Sequence, residues 1–327
     1  MSTNNIIAQL HDNVNTVNVE TIFDKWATKK TSAVMMSEKM KKAGFKERAF
    51  RMLNCSTQLS YYRCPTCGDM KIKRANLCRD KLCPICSWRL SIQRYSNMTE
   101  IMKVVRERYT GLCYGFITLT APNCYTRQLR TQLKALSGAW NRLTNRKVIK
   151  DNILGWARSV EITYNEKTDT AHPHYHIIAV ARDNGAFKEL VNVWLEVNRL
   201  GAVSAAQNYK VIEADKNIEV SQINDDDMMN AVLETFKYAV KSKDLDDMPL
   251  SSFRAFIENV NGMRMTSFGG ILKTIKNELK LEFEEASDEE EMTICRNCGS
   301  SDLMEAIAVW SFDNSTYNRI LINLYGK

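Results

Sequence analysis

The apolar positions along this chain follow helical spacing in some segments and strand composition in others. Residues 1–50 are mostly amphipathic with helical spacing, and residues 126–147 place their apolar side chains on one helical stripe. That stripe consists of Leu129, Leu133, Leu136, Trp140 and Leu143. Cys113–Thr120 is rich in β-branched and aromatic residues, which predicts a central strand.

The second half of the chain predicts a β-hairpin followed by further helices. Strands are expected at 156–164 and from His172 onward, and the polar residues 165–170 are expected to form the turn between them. Helices are expected near 185–199 and from Asn224 to about Lys243. This mixture of helices and hairpin-linked strands predicts an α+β fold in which a sheet is covered by helices.

Composition divides the chain into three segments. Residues 1–98 are basic and contain most of the cysteines, residues 99–278 carry the mixed strands and helices, and residues 279–327 form a tail. Glu282–Glu291 in the tail is mostly acidic, which is typical of a solvated linker. We therefore predict two structured regions and an appended tail that contains Cys295 and Cys298.

Charge is distributed unevenly over the 327 residues. Residues 1–150 hold 27 Lys and Arg against 9 Asp and Glu, whereas residues 151–327 hold 18 against 29, and the formal net charge is +7. A basic region of this strength indicates a polyanionic partner, most simply nucleic acid. The alternative is that the basic residues serve solubility alone.

The overall composition is typical of a soluble globular protein. Hydrophobic residues make up 44% of the chain and charged residues 25%. No apolar run is long enough for a transmembrane helix, and the first five residues lack the features of a signal peptide. We therefore expect a cytoplasmic protein with no membrane partner.

Ten cysteines in a cytoplasmic chain favour metal binding over disulfides. Cys64-Pro65-Thr66-Cys67 and Cys83-Pro84-Ile85-Cys86 are separated by 15 residues, and this zinc-ribbon spacing predicts a structural Zn²⁺ site made of four thiolates. Cys78 lies between the two pairs as a substitute ligand. The surrounding basic residues either contact DNA or form the solvated surface of a zinc site that only stabilises the fold. Cys295-Arg296-Asn297-Cys298 is half a site, and it either joins Cys55 and Cys78 or forms a separate knuckle.

His172-Pro173-His174-Tyr175-His176 holds three of the four histidines of the chain at alternate positions. On a strand these imidazoles share one face and can bind a divalent metal, with three surface histidines as the alternative. Glu161 on the preceding strand falls opposite His174 or His176 and adds an oxygen ligand. Two histidines and one carboxylate with open positions suit Mg²⁺ or Mn²⁺ bound to a phosphate oxygen.

The predicted helix around residue 234 carries a second set of reactive groups. Glu234, Tyr238 and Lys241 lie at i, i+4 and i+7 and share one face, roughly opposite an apolar stripe. Nearby ammonium groups favour the phenolate form of a tyrosine, whose reference pKa is about 10. Glu234 can accept a proton from Tyr238 or from a water molecule. The alternative is an ordinary solvated helix face.

These motifs together resemble the rolling-circle replication initiators, or Rep proteins, of small bacterial plasmids within the HUH endonuclease superfamily. The resemblance spans about residues 60–275 and rests on Phe116–Thr120, Glu161–Asn165, His172–His176 and Tyr238–Lys241. The segment Arg79–Cys86 is also similar to the Cys-rich N-terminal segment of that family.

The resemblance implies a fold and a set of residue roles. The fold is a central antiparallel sheet flanked by helices, here preceded by an N-terminal helical and zinc-ribbon module. His174 and His176 become the metal histidines, and His172 is secondary. Tyr238 becomes the nicking nucleophile of a single-Tyr scheme, with Lys241 as its phosphate-side partner and Glu234 as the base that activates water at termination.

The implied function is the initiation of rolling-circle replication. Single-stranded or cruciform origin DNA is nicked through a 5′-phosphotyrosine intermediate, which leaves a 3′-OH primer for the host replication helicase and polymerase. The implied cofactors are Mg²⁺ or Mn²⁺ at the catalytic centre and structural Zn²⁺. The alternatives are a related HUH relaxase or transposase and a non-enzymatic zinc-ribbon DNA-binding protein.

Overall fold

The computed structural model describes residues 19–201, 203–213, 225–237, 240, 242–287, 289 and 291–320. The described residues divide into two compact units, the first drawn from those up to residue 92 and those from 285 onward, and the second from those between 93 and 284. The division differs from the three predicted segments because the C-terminal tail joins the N-terminal residues in one unit.

The helices and strands are numbered in chain order. The helices are α1 (Val19–Lys42), α2 (Lys46–Leu53), α3 (Pro84–Arg108), α4 (Leu129–Asn145), α5 (Lys147–Asn152), α6 (Gly185–Val197), α7 (Asp225–Phe236), α8 (Ser242–Asp247), α9 (Leu250–Val260) and α10 (Gly270–Glu278). The strands are β1 (Gln58–Arg63), β2 (Met70–Ala75), β3 (Cys113–Thr120), β4 (Cys124–Tyr125), β5 (Ile153–Asn165), β6 (Thr170–Ala181), β7 (Asn208–Glu213), β8 (Thr266–Gly269), β9 (Met304–Ser311) and β10 (Thr316–Ile320). Within the described part of the chain, no helix is both long and apolar enough to cross a bilayer.

The first unit contains an antiparallel sheet with the strand order β10-β9-β1-β2. Strand β1 pairs with β9 from Gln58 opposite Val309 to Arg63 opposite Met304. Phe23 of α1 meets Tyr61 of β1 edge-on at a centroid distance of 5.2 Å. This sheet therefore combines strands from both ends of the chain.

The second unit is built on an antiparallel sheet with the order β7-β3-β6-β5-β8, and β4 pairs with the start of β6. Strands β5 and β6 form the predicted hairpin, which closes with Asn165 opposite Thr170. Strand β3 is the predicted central strand and lies beside β6. The expected α+β fold with an antiparallel sheet flanked by helices is confirmed.

Helices cover both faces of this second sheet. Residues of α3, α7 and α10 form a buried core with Ile178 of β6, which lies on the same strand face as the histidines. On the opposite face, Trp140 of α4 meets Tyr175 edge-on at a centroid distance of 5.9 Å. The alternation of side chains along β6 thus separates a histidine face from the face that carries Tyr175.

The predicted helices of the described residues agree with the structure except in one place, and residues 1–18 of the predicted helical segment lie outside the described residues. The helices expected at 126–147 and 185–199 correspond to α4 and α6, and the whole predicted stripe of α4 is buried. The helix predicted to run to about Lys243 is wrong in extent, because α7 ends at Phe236 and α8 begins at Ser242. Neither Gly nor Pro, the usual stop signals, occurs between Asp225 and Met248, so the local sequence does not mark this end.

Candidate metal centre and cysteine sites

The hairpin register places the predicted metal ligands on one face of the sheet. Glu161 on β5 pairs with His174 on β6, and Ser159 pairs with His176. Residues that are directly opposite in an antiparallel pair share a face, so Glu161, His174 and His176 project to the same side. The expectation that Glu161 lies opposite one of these histidines is confirmed, and the partner is His174.

Three ligand atoms converge at this point of the sheet. The Nε2 atoms of His174 and His176 lie 3.1 and 2.7 Å from Oε2 of Glu161, and 3.1 Å from each other. All three side chains are buried. Imidazole lone pairs at this separation repel unless a proton or cation lies between them, and two nitrogens with one carboxylate oxygen suit a divalent cation. The three residues therefore fit a divalent metal ion.

Neighbouring groups orient both imidazole rings. Nδ1 of His174 lies 3.3 Å from the carbonyl oxygen of His172, and Nδ1 of His176 lies 3.4 Å from the hydroxyl of Thr118. A proton on Nδ1 of His174, donated to that carbonyl, leaves the Nε2 lone pair directed at the centre. Phe116 stacks on His176 with a centroid distance of 5.5 Å and an interplanar angle of 11°. The rings are therefore held in the orientation that coordination requires.

The protonation states of the centre match those of metal ligands. Burial disfavours the charge on Glu161, but the contacts with both histidines and with Lys237 outweigh it and hold the pKa of this carboxyl well below its usual range. Burial lowers the pKa of His176, although Glu161 acts in the opposite direction. An ionised carboxylate and a neutral imidazole are the forms that bind metal.

Two charged residues at the end of α7 border the centre. The ammonium group of Lys237 lies 2.9 Å from Oε2 of Glu161 and also contacts Oε1 of Glu234. Oε1 of Glu234 is 3.8 Å from Nε2 of His176. Burial opposes the charge on Lys237, but the two carboxylates raise its pKa. A positive charge and a second carboxylate therefore stand beside the three ligands.

The predicted set of reactive residues on the helix is only partly described. Glu234 reaches the edge of the centre, whereas Tyr238 and Lys241 lie outside the described residues. Lys237, which was not among the predicted site residues, is the cation that contacts Glu161. The sequence contained a signal for Lys237, because residues three positions apart on a helix are neighbours and Lys237 lies three positions after Glu234.

His172 shares the strand face but makes a different contact. Its Nδ1 lies 2.7 Å from Oδ1 of Asn123. In the described residues, the group whose ligand atoms converge consists of Glu161, His174 and His176 and does not include His172. The secondary role expected for His172 is consistent with this position.

The cysteines of the first unit form two groups of four. The groups are Cys55, Cys78, Cys83, Cys86 and Cys64, Cys67, Cys295, Cys298, and the sulfur atoms within each group lie within 4.8 Å of one another. None of the ten cysteines forms a disulfide. The single site predicted from the pairs Cys64–Cys67 and Cys83–Cys86 is therefore wrong in its grouping, because the pairing of β1 with β9 brings the tail pair to the first of them.

A buried lysine stands next to the first cysteine group. The ammonium group of Lys30 donates hydrogen bonds to the carbonyl oxygens of Leu53 and Cys55 at 2.5 and 2.7 Å. Burial lowers the pKa of Lys30 to about 8, and the neighbouring cysteines act to raise it. A cation here would compensate the negative charge of four thiolates around a metal ion.

A family model described as a replication protein matches residues 69–318. This range contains β3, the β5–β6 hairpin with its three converging ligands, and α7. The chain belongs to this replication protein family. The membership confirms the resemblance to rolling-circle plasmid replication initiators.

Curated relatives of this replication initiator cover most of its length. It is 30% identical over 287 residues to Protein rep of Bacillus amyloliquefaciens, and the matched region covers 80% of this chain and 84% of the relative. It is 27% identical over 307 residues to Protein rep of Streptococcus pneumoniae serotype 2, with coverages of 89% and 91%. Protein rep of Lactiplantibacillus plantarum is 29% identical over 310 residues, with coverages of 89% and 94%. No solved structure matches the chain significantly.

Proposed function

We propose that this replication initiator is a metal-dependent endonuclease that nicks one strand of plasmid origin DNA and becomes joined to the 5′ end through Tyr238. The observation that carries the proposal is the convergence of Glu161, His174 and His176, with Glu234 and Lys237 beside them. Buried metal ligands next to a lysine and a second carboxylate are the groups needed to bind a phosphodiester and move a proton.

Glu161, His174 and His176 would hold the divalent ion, either Mg²⁺ or Mn²⁺. Three protein ligands leave open positions that phosphate oxygens can occupy. A bound ion supplies charge stabilisation to the scissile phosphate. The burial of the three ligands and the lowered pKa of Glu161 support this assignment.

Tyr238 is the proposed nucleophile and follows the end of α7 by two residues. Its phenolic oxygen attacks the phosphorus atom, the bond from phosphorus to the 3′ oxygen breaks, and that oxygen takes up a proton to become the 3′-OH primer. The phenolic proton passes to Glu234 or to water. At termination, Glu234 activates the water that hydrolyses the phosphotyrosine, or the 3′-OH rejoins the strand.

Positive charge beside the nucleophile would hold the phosphate. Lys241 keeps its proposed role as the phosphate-side partner, and Lys237 adds a second ammonium group that already contacts Glu161 and Glu234. The basic first half of the chain would bind single-stranded or cruciform origin DNA. The host replication helicase and polymerase would then use the primer in the cytoplasm.

Structural Zn²⁺ in the first unit is part of the same proposal. Cys83 and Cys86 keep their predicted role as zinc ligands, with Cys55 and Cys78 as the other two. Four thiolates close the coordination sphere and leave no position for a reacting water, so this ion would serve folding. The compensating charge of Lys30 supports a site of thiolates at this position.

The test of the nicking proposal is covalent attachment of DNA. The full chain is incubated with Mn²⁺ and labelled single-stranded DNA from the plasmid origin, and adducts are detected on a denaturing gel and mapped by mass spectrometry. We expect the label on Tyr238, and we expect Tyr238→Phe to bind DNA without becoming attached. Tyr109→Phe, which alters an exposed tyrosine after α3, is the matched control and should attach normally. An adduct that persists in Tyr238→Phe would show that another residue is the nucleophile.

A further inference from the structure

The second cysteine group lies where the two ends of the chain meet in the first unit. Cys64 and Cys67 lie in the connection between β1 and β2, and Cys295 and Cys298 precede β9 in the tail. Strands β1 and β9 are hydrogen-bonded neighbours in one sheet. The sheet therefore brings the two pairs together from opposite ends of the sequence.

The N-terminal pair is held in a tight backbone turn. The N–H of Cys64 donates to the carbonyl oxygen of Asp69 at 2.8 Å, and the N–H of Gly68 donates to the carbonyl oxygen of Cys64 at 2.9 Å. The backbone N–H groups of Thr66 and Cys67 donate to Sγ of Cys64. Gly68 has a φ of 77°, which a glycine adopts without steric cost.

The tail pair repeats this turn at the equivalent positions. The N–H of Cys295 donates to the carbonyl oxygen of Ser300 at 2.7 Å, and the N–H of Gly299 donates to the carbonyl oxygen of Cys295 at 2.8 Å. The N–H groups of Asn297 and Cys298 donate to Sγ of Cys295. Gly299 has a φ of 74°. Two Cys-x-x-Cys-Gly turns far apart in sequence thus share one geometry, in which backbone N–H donors face the first sulfur of each turn.

The four sulfur atoms have the spacing of a metal site. Sγ of Cys64 lies 3.5 Å from Sγ of Cys298, and Sγ of Cys67 lies 3.5 Å from Sγ of Cys295. Zinc–sulfur bonds of about 2.3 Å in a tetrahedron place the sulfurs roughly 3.8 Å apart. A disulfide requires a separation of about 2.05 Å. The spacing therefore fits four thiolates around one ion.

We infer that Cys64, Cys67, Cys295 and Cys298 bind a second structural zinc ion that fastens the tail to the N-terminal sheet. This site is separate from the group at Cys55 and does not depend on the proposed nicking activity. It closes a loop in which Cys67 and Cys295 are 228 positions apart, and a metal clip across a long loop removes much conformational freedom from the unfolded chain. Residues of β9 and β10 thereby become part of the folded first unit.

Thiol protection in the unaltered full chain tests this site directly. Cys67 and Cys298 are exposed, so as free thiols they would react readily with N-ethylmaleimide, whereas zinc-bound thiolates are shielded. The zinc-loaded chain is alkylated, digested and mapped by mass spectrometry before and after chelation. We expect both exposed cysteines to be protected with zinc and to become reactive together after chelation. Fast alkylation of Cys298 in the zinc-loaded chain would overturn the inference.

Cobalt substitution counts the sites. Sulfur-to-cobalt charge-transfer absorption arises only from thiolate-bound Co²⁺, so the centre of Glu161 and two histidines does not contribute. We expect two equivalents of thiolate-bound Co²⁺ per unaltered chain and one per chain of the double variant Cys295→Ser, Cys298→Ser. Cys124→Ala, which removes a buried cysteine outside both groups, is the matched control and should retain two. A tail variant that keeps the full signal would show that the tail pair binds no metal, and the alkylation map of the unaltered chain decides the question if that variant does not fold.

Discussion

Glu161 and His174 face each other across the β5–β6 pair, and 3.1 Å separates Oε2 of the carboxylate from Nε2 of the imidazole. This contact is a direct consequence of strand register, because a slip of one residue would turn Glu161 to the opposite face of the sheet. The sheet therefore holds the three side chains in place before a metal ion binds. The groups of α7, Glu234 and Lys237, approach the same centre from a separate element.

Loss of a ligand at the centre should abolish tight metal binding. In Glu161→Gln we expect Mn²⁺ to bind at least about 100-fold more weakly, because even residues that only orient metal ligands contribute roughly 10–100-fold to affinity. Isothermal titration of the full chain measures the effect. His172→Ala changes a histidine on the same strand face that contacts Asn123, and it should bind Mn²⁺ normally. Comparable losses in both variants would be incompatible with a centre of three ligands.

Removal of the ammonium group beside the centre should strengthen metal binding while it weakens nicking. In Lys237→Met the repulsion between Lys237 and the incoming ion is lost, and a change of about 1.4 kcal/mol corresponds to tenfold tighter Mn²⁺ binding. Nicking should fall because the phosphate loses a cationic partner. The control is Lys243→Met, at an exposed position on α8. Unchanged Mn²⁺ affinity in Lys237→Met would mean that the ammonium leaves the centre when metal binds.

The buried Lys30 should stabilise the first unit. Lys30→Met leaves the carbonyl oxygens of Leu53 and Cys55 without their donor, and each buried unsatisfied group costs about 1–3 kcal/mol. We expect the free energy of unfolding of the zinc-loaded chain to fall by about 2–4 kcal/mol in urea titration. Lys42→Met, at an exposed position at the end of the same helix, should change it by less than about 0.5 kcal/mol. An unchanged free energy of unfolding in Lys30→Met would show that burying the ammonium group costs as much as its two hydrogen bonds contribute.

Gly270 should not tolerate a side chain. It begins α10 with a φ of 56°, and an added Cβ would lie 2.0 Å from the carbonyl oxygen of Leu154. Gly270→Ala should therefore lower the free energy of unfolding by about 3 kcal/mol or more. Gly138→Ala is the matched control, since its Cβ would meet only Arg142 at 3.5 Å, and within a helix it should stabilise by up to about 1 kcal/mol. Thermal or urea unfolding of both variants measures the contrast, and equal stability of the two would contradict the close approach at Gly270.

Local sequence was sufficient to predict the histidine strand and the strand that pairs with it. The hairpin of β5 and β6 has a short polar turn, and its strands alternate with a period of two. The position of Glu161 opposite His174 or His176 therefore follows from residues close in sequence, and the register of the structure selects His174. The stripe of α4 and the central strand β3 were predictable for the same reason. The end of α7 at Phe236 was not, because no stop residue follows it, and the contact of Lys237 with Glu161 depends on where that helix meets the sheet.

The sequence by itself determined which side chains can serve as metal ligands in this protein, since histidines at alternate strand positions and cysteines in Cys-x-x-Cys pairs are local patterns with a direct chemical meaning. Only the tertiary structure decided which cysteine pairs share a site. The spacing of Cys64–Cys67 and Cys83–Cys86 suggested one ribbon, yet the sheet assigns the tail pair Cys295–Cys298 to the first of them. The physical reason is that the hydrogen bonds between β1 and β9 join residues more than 200 positions apart, and no local periodicity encodes a contact of that range.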